Sequence, residues 1–297
     1  MQTLYTITTL EGEGKPGEEV KILQKHFDQT RQLFIYLTYF LSEVAHYAEK
    51  DAQTRAGKHL TTYEDLHVNT KISGNLILLK ISEDASFREF EKKDKPEQLL
   101  DKEMVKRIYQ ELIESPEYKT YAAKKERDKA EERSILEFIL ENFLLGKEIF
   151  LSHLEEIFSN WNDDGEMVIQ LLVNYLQKPG GYNFKEMISA EKWDFAQNLL
   201  KTVLEKSEHL QSFIIPKLKN WDPERIALLD MILMKMGVAE FLYFETIPPK
   251  VTINEYIDLA KEYSTPQSGQ FVNGILDNIH KELVQEGKMH KVEFKKA

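Results

Sequence analysis

Two short patterns in this 297-residue chain have residue types suited to ligand chemistry. Gly12, Gly14 and Gly17 have the spacing of a dinucleotide-binding turn, which brings backbone amides to a pyrophosphate at the start of a helix. That turn requires a strand before it and a returning strand after it, whereas a long amphipathic helix from Val20 to about Tyr47 follows here. We therefore predict a loop at residues 12–17 and no nucleotide site.

The second pattern runs from Asn160 to Gly165 and has the acidic residues and the glycine of a calcium-binding loop. Such a loop requires a bidentate glutamate at its twelfth position, and that position is Leu171 here. We predict that these residues form a helix-capping turn and bind no metal.

Sequence motifs for catalysis are missing. The chain has no Gly-x-Ser-x-Gly elbow, no phosphate loop ending in Gly-Lys-Ser/Thr and no His-Glu-x-x-His pair. It contains no cysteine, and its eight histidines are not paired at ligand spacing. The abundant carboxylates lie mainly on polar helix faces, where solvation is their expected role. We predict a protein that is not an enzyme and that uses no cofactor.

Composition limits the partners. With 42% hydrophobic residues the chain can bury a substantial core, and no apolar run approaches the roughly 20 residues needed to span a bilayer. We expect a cytoplasmic protein without a leader peptide or a membrane contact. The formal net charge of −11 disfavours broad electrostatic binding to nucleic acid. Any RNA site must be local or shared with a partner.

The region from Trp221 to Leu283 has the clearest pattern of structural elements, which predicts three helices. The first begins at Asp222-Pro223-Glu224 and ends before Ile247-Pro248-Pro249. The second opens at Thr252-Ile253-Asn254-Glu255, which has the spacing of a capping box, and Ser268 caps the third. Their apolar residues recur at helical spacing.

Gly274 lies in the middle of the third predicted helix. Asn273-Gly274 suggests a hairpin turn in isolation, but the flanking apolar residues repeat every three or four positions. We predict that Gly274 is a point where another helix packs closely.

Helical periodicity also dominates the rest of the chain. Residues 76–79 fit a buried strand or a buried helical turn equally well, and we choose the helix. The mixed charges of residues 124–133 indicate a solvated helix face or a connector. Pro179-Gly180-Gly181 is the best candidate boundary. The predicted core between residues 135 and 158 comprises Phe138, Ile139, Phe143, Leu144, Phe150 and Leu154.

Three ordered blocks in the last third of the chain resemble the NusB family of transcription antitermination factors. They are Leu229 to Leu242, Ile247 to Lys261 and Phe271 to Asp277. Gln2-Thr3-Leu4-Tyr5 resembles the middle of the family's first helix, and this overrides the strand propensity of residues 1–10. An arginine-rich segment normally precedes that helix, so we expect that the start is displaced or that the segment is absent.

The resemblance implies an all-α protein: a helical bundle with a NusB-like C-terminal part and an extended helical N-terminal part. We place the domains at residues 1–181 and 182–297. It further implies an antitermination factor that binds boxA-type RNA together with the ribosomal protein NusE in the transcription elongation complex, and so promotes transcription of ribosomal RNA operons.

Family positions then give candidate site residues. The RNA side would comprise Gln2 and Tyr5 on the first helix and Ser268, Gln270 and Phe271 at the start of the last helix, with Phe271 able to stack on a base. Asp230 would face the protein partner. Each has a structural alternative: the aromatic residues can be core, Ser268 a helix cap, and the other three solvated side chains.

Two alternative functions stay open. One is a helical protein–protein interaction scaffold without RNA binding, and the extended N-terminal half suits such a task. The other is a helical appendage of a ribosomal RNA methyltransferase-like system. Methyltransferase domains of that kind carry a glycine-rich cofactor loop and catalytic cysteines, and this chain has no cysteine.

Overall fold

The computed structural model describes residues 1–9, 17–218 and 225–292. Within these ranges every regular element is a helix and none is a strand, which confirms the all-α prediction. The predicted helix start at Asp222-Pro223-Glu224 and the glycine-containing loop up to residue 16 lie outside the described residues.

The chain forms two compact units, which are described separately. The composite unit contains Met1–His26 and Ile188–Ala297, and the central unit contains Phe27–Met187. Residues 1–26 thus group with the C-terminal residues. The predicted domain boundary at residues 181 and 182 stays a prediction, because compactness alone does not show which parts fold independently.

The composite unit is built around one apolar helix, α13. Its helices are α1 (Gln2–Thr9), the first part of α2 (Glu18–Ala56), α11 (Ala190–Glu205), α12 (Ser207–Ile214), α13 (Leu228–Tyr243), α14 (Pro249–Tyr263) and α15 (Ser268–Gln285). α13 packs against α1, α11, α12, α14 and α15. Because it is surrounded, α13 is apolar on nearly all sides, as a buried helix should be.

Two predicted helix starts in this unit are wrong in detail. α14 begins at Pro249, ahead of the supposed capping box, because proline is well suited to the first helical position. Thr252 is buried and donates to the carboxylate of Glu240. Ser268 is itself the first residue of α15, and its hydroxyl accepts from the backbone N–H of Thr265.

The prediction of close packing at Gly274 is also wrong. A Cβ atom added there would meet no atom within 4 Å, so this face of α15 is open. The close contact is at Gly237 on α13, where a Cβ would lie 2.8 Å from Cδ2 of Leu276. The prediction at Gly274 rested on residue type alone. Close contact between two helices depends on which side of each helix faces the other.

The central unit surrounds the middle of α2. Five consecutive residues, Leu33 to Leu37, are completely buried, so this helix has neighbours on every side. The other helices of the unit are α3 (Tyr63–Leu66), α4 (Leu76–Glu83), α5 (Ala85–Asp94), α6 (Lys102–Leu112), α7 (Pro116–Ala123), α8 (Lys129–Ile139), α9 (Glu148–Ile157) and α10 (Trp161–Gln177). A π-helical turn, Leu140–Leu144, follows α8.

The predictions for this unit are confirmed in part. Residues 76–79 form the start of α4, which Asn75 caps. Five of the six predicted core residues between 135 and 158 are buried, and Phe138 is partly buried. The predicted helix-capping turn at 160–165 is wrong in detail, because α10 already begins at Trp161 and the side chain of Asn160 forms no capping hydrogen bond. The charged run at 124–133 is a second exception, because Glu132 is fully buried.

Candidate functional site

The helix α1 presents Gln2 and Tyr5 to solvent. Its opposite face buries Thr3 and Leu4, and Leu4 belongs to the core around α13. The hydroxyl of Thr3 lies 2.9 Å from Nδ1 of His26, which holds α1 to α2. Tyr5 is 46% exposed as a result, which argues against the alternative that it is a core residue.

The first turn of α15 presents the other candidate residues. Ser268 and Gly269 are buried, Gln270 is exposed and Phe271 is half-buried against the core. A Cβ on Gly269 would lie 2.8 Å from Cγ of Lys261 on α14, so the turn lies very close to that helix. Because the turn is held against α14, the directions in which the side chains of Gln270 and Phe271 point are fixed.

Asp230 and Ser268 are joined, although the sequence assigned them to different surfaces. The Ser268 hydroxyl donates to Oδ2 of Asp230 over 2.8 Å, and both side chains are buried. Asp230 lies in the first turn of α13, so this bond connects the start of α13 to the start of α15. The predicted partner residue thus has a definite intramolecular contact.

The second oxygen of Asp230 is notable because it is buried without a hydrogen bond. Among the described residues, no donor reaches Oδ1 of Asp230. A buried carboxylate oxygen normally has a donor, so this atom can accept one more hydrogen bond. The Asp230–Ser268 pair therefore holds the turn and also leaves one acceptor unused.

Two residues of this cluster were not predicted as site residues. Ser264 Oγ and Thr265 Oγ1 lie 3.0 Å and 2.9 Å from Oγ of Ser268. In the sequence, Ser264-Thr265-Pro266 indicates only the end of a helix, because a residue before proline is disfavoured in helical geometry. A run of hydroxyl residues just before a candidate serine is a weak signal that could have found them.

A second buried carboxylate lies further along α13. Thr252 Oγ1 donates to Oε2 of Glu240 over 2.7 Å, and the Tyr256 hydroxyl donates to Oε1. Burial raises the pKa of the Glu240 carboxyl, and the two hydroxyl donors offset part of that rise. Burial and the neighbouring Glu240 raise the pKa of Tyr256 well above its usual value. This cluster joins α13 to α14.

Lys291 contacts the end of α13 from the C-terminal segment. Its ammonium group donates to the backbone carbonyls of Glu240 and Phe244 over 2.8 Å and 2.7 Å. A cation at the C-terminal end of a helix is favourable because the last carbonyls carry partial negative charge. Lys291 therefore caps the C-terminal end of α13.

The composite unit is close to neutral. It has 20 acidic and 17 basic residues, so the acidic excess of the chain lies mainly in the central unit, which has 30 acidic and 22 basic residues. The arrangement on α1 and α15 offers amide, phenol and phenyl groups. These groups suit stacking and base-edge contacts better than contacts to many phosphates.

Comparison with known proteins decides the family. The model of the NusB family matches residues 147–281. The transcription antitermination protein NusB of Methylacidiphilum infernorum (isolate V4) is 35% identical over 127 residues, which represent 39% of this chain and 87% of that relative. The chain belongs to the NusB family.

Two further NusB relatives match a shorter part. The transcription antitermination protein NusB of Salinibacter ruber is 43% identical and that of Chloroherpeton thalassium 41% identical, each over 98 residues or 33% of this chain. The matched part spans 61% and 46% of their lengths. No solved structure matches the chain.

The NusB match includes α9 and α10 of the central unit as well as α11 to α14 and most of α15. Most of the central unit precedes it. In the described ranges, no helix is long and apolar enough to cross a membrane. Those ranges also contain no group of three or more histidine, aspartate or glutamate side chains placed to hold a metal ion.

Proposed function

We propose that this chain is a transcription antitermination factor that binds boxA-type RNA together with the ribosomal protein NusE in the transcription elongation complex. One observation carries the proposal: the first turn of α15 is anchored by buried Ser268 and presents Gln270 and Phe271 immediately after it. A positioned amide and ring can hydrogen-bond and stack on unpaired bases, which is how proteins read single-stranded RNA.

The charge balance supports a role for NusE in this binding. With 17 basic against 20 acidic residues, the composite unit offers few contacts to phosphate. Stacking contributes about 1–3 kcal/mol per base, which is too little alone for tight binding. A basic partner bound next to the RNA would supply the missing phosphate contacts. We expect weak RNA binding alone and stronger binding with NusE.

The test is a titration of fluorescently labelled boxA RNA, at low and moderate salt, with and without NusE. Phe271→Leu keeps an apolar group against the core but removes the ring that stacks. We expect about 5- to 150-fold weaker binding to the complex, which corresponds to the loss of one stacked base. Val284→Ala is the matched control, since Val284 is 56% exposed near the other end of α15.

Gln2, Tyr5 and Gln270 are tested in the same titration, each as an alanine variant. These side chains are exposed, so their replacement should leave the melting temperature nearly unchanged. Normal RNA affinity in all three variants would remove α1 and Gln270 from the proposed RNA surface.

Asp230 is proposed to favour NusE binding through its negative charge, because its buried side chain cannot touch a partner directly. Asp230→Asn keeps an acceptor for the Ser268 hydroxyl and changes the charge. If the proposal is right, affinity for NusE falls while the melting temperature changes little. Unchanged affinity would mean that Asp230 serves only to hold α15.

The scaffold alternative predicts a different result. If the chain binds NusE but the affinity of NusE for RNA at low salt is the same with and without the chain, the chain is a protein-binding module. In that case the exposed residues of α1 and α15 have another partner, and the RNA part of the proposal is wrong.

A further inference from the structure

The segment from Lys58 to His67 in the central unit exposes large apolar side chains. Leu60 is 87% exposed, Tyr63 76% and Leu66 58%, which are the highest values for large apolar residues in the described ranges. We call residues 58–67 the exposed turn. Single exposed apolar residues are common, but three within seven positions form a patch, and such patches mark interaction sites.

The exposed turn is held in place by polar groups that face inward. Asp65 is buried and accepts from Nζ of Lys58 over 2.6 Å and from the backbone N–H of Thr62 over 3.1 Å. The Thr62 hydroxyl in turn accepts from the backbone N–H of Asp65, which completes a capping box. The usual placement is inverted here: the carboxylate is inside and the apolar side chains are outside.

An open cleft of about 500 Å³ lies directly beside the exposed turn. Glu64 and His67 of the turn form one of its walls, and the ring of His67 stacks on Tyr63 with centroids 3.9 Å apart. The rest of the lining comes from α2, α6 and α7, from Val68 and Asn69 after the turn, and from Ile113 just after α6. All of these residues belong to the central unit.

The cleft contains a carboxylate that lacks a directed hydrogen bond. Oδ2 of Asp51 is buried and has no hydrogen-bond donor in the described part of the chain. Nε of Arg55 lies 2.8 Å from this oxygen and forms an ion pair with it. Because Asp51 lines the cleft, a donor that enters would approach a carboxylate that has this one charged partner.

We propose that this surface binds a second copy of the chain, with the exposed turn of each copy in the cleft of the other. A two-fold interface requires one surface that is complementary to itself, and an apolar projection beside a cleft of suitable size has that form. Tyr63 fits the cleft chemically as well. Its ring would lie against Ile113, and its hydroxyl can donate to the carboxylate of Asp51.

Local charge favours this occupant over a polyanion or a strongly basic segment. The cleft is lined by two acidic residues, Asp51 and Glu64, and by two basic residues, Arg55 and Lys119. The balance means that two copies of this surface do not repel each other, although the central unit as a whole is acidic. An RNA strand would find little net attraction there.

The first test measures the oligomeric state of the full chain without RNA by sedimentation across a wide range of concentration. We expect a reversible dimer. Replacing both Leu60 and Tyr63 by serine should raise the dimer Kd by about 10,000-fold, because the two side chains are lost from both copies and each contributes roughly tenfold. Met167→Ser is the matched control, since Met167 is 51% exposed on α10 of the same unit.

Two more variants test the cleft itself. Ala123→Trp places a large ring at an exposed lining position and should block the dimer without changing the fold. Tyr63→Phe keeps the apolar contact but removes the donor to Asp51, so we expect about tenfold weaker dimerisation. Circular dichroism of each variant should match that of the original protein.

Crosslinking tests the geometry, because the chain has no cysteine of its own. A mixture of Tyr63→Cys and Ala123→Cys proteins, treated with a short bismaleimide, should give a covalent heterodimer. Met167→Cys mixed with Ala123→Cys should not. A monomer at every concentration would overturn the proposal, and so would a dimer that tolerates both the serine pair and Ala123→Trp.

Discussion

The two units differ in how they accommodate a buried carboxylate. In the central unit, Glu132 is paired with Arg127 at 3.0 Å and also accepts from the hydroxyl of Tyr121 and the backbone N–H of Leu76. In the composite unit, the donors to Glu240 are the hydroxyls of Thr252 and Tyr256. A cation balances the first carboxylate, whereas neutral groups hold the second.

The difference determines what each carboxylate can tolerate. A buried ion pair offsets the cost of desolvation only while both partners are present. A carboxylate held by hydroxyl groups can take up a proton without breaking a direct ion pair, and the charges that act on Glu240, those of Lys291 and Glu255, shift its pKa in opposite directions. We therefore expect the central unit to respond strongly to loss of one partner and the composite unit to respond more to pH.

The largest expected loss of stability is that caused by Glu132→Ala. Glu132 connects α8 to the start of α4, and its removal leaves the guanidinium of Arg127 without its buried partner. We expect the free energy of unfolding of the central unit to fall by about 3–5 kcal/mol. Hydrogen exchange with mass spectrometry measures it, because peptides of the two units are resolved. Glu131→Ala, at the neighbouring half-buried position whose partner Lys124 is half exposed, should have little effect.

The second prediction concerns apolar packing in the composite unit. Gly237→Ala would force a Cβ against both methyl groups of Leu276, at 2.8 Å and 2.9 Å. Overpacking costs about 1–3 kcal/mol, and the gain in helix propensity returns at most about 1 kcal/mol. The midpoint of urea unfolding should fall.

Gly274→Ala is the matched control for this prediction. It lies on a helix with no atom near the added methyl group, so the variant should be neutral or more stable. Equal destabilisation by both variants would show that the contact at Gly237 is not what matters.

The third prediction tests a hydroxyl partner. Ser268→Ala removes the donor to Asp230 and leaves both of its oxygens buried without one. We expect a loss of about 1–3 kcal/mol in the composite unit, the usual cost of an unsatisfied buried group. Thermal unfolding measures it. A loss as large as that of Glu132→Ala would contradict the contrast between the two units.

The smallest expected effect is the pH dependence of stability that arises from Glu240. Burial raises its pKa in the folded state above the usual value of 4.5, so the folded state binds the proton more tightly than the unfolded state. The resulting stabilisation is fully present below pH 4.5 and is lost as pH rises through the folded pKa.

Comparison with Glu240→Gln isolates this effect, because glutamine does not titrate. As pH rises from 4.5 towards 7, the original protein loses the stabilisation that comes from the raised pKa of Glu240, and the variant does not. The free energy of unfolding of the variant should therefore increase relative to that of the original protein. Urea unfolding across this range measures the difference. A difference that does not change with pH would mean that the pKa of Glu240 is the same in both states.

Local patterns predicted the helices well. The buried residues between 139 and 154 follow from periodicity, because an amphipathic repeat reports which face is inside. The helix at residues 76–79 does not, since four apolar residues in a row fit a strand equally well. The burial of Glu132 could not be predicted in this way. Its neighbours in sequence, Glu131 and Arg133, are charged and only half-buried, and its basic partner Arg127 belongs to the same mixed run.

The site was predicted only in part. Family resemblance indicated both Asp230 and Ser268, but not that they bond to each other across 38 residues of sequence. No spacing rule connects positions on different helices. The exposed turn was missed for a similar reason: Leu60, Tyr63 and Leu66 are apolar, and only the inward position of Asp65 reveals that they face solvent.

The contact made by Lys291 affects the order of events during synthesis. The donor to the carbonyls of Glu240 and Phe244 is Lys291, which is synthesised 51 and 47 residues after them. At ribosomal rates of about 5–20 residues per second, this delay is roughly 3–10 s. During that time the central helix of the composite unit has an incomplete end. A chaperone or NusE that meets the nascent chain then would encounter α13 before its cap has been made.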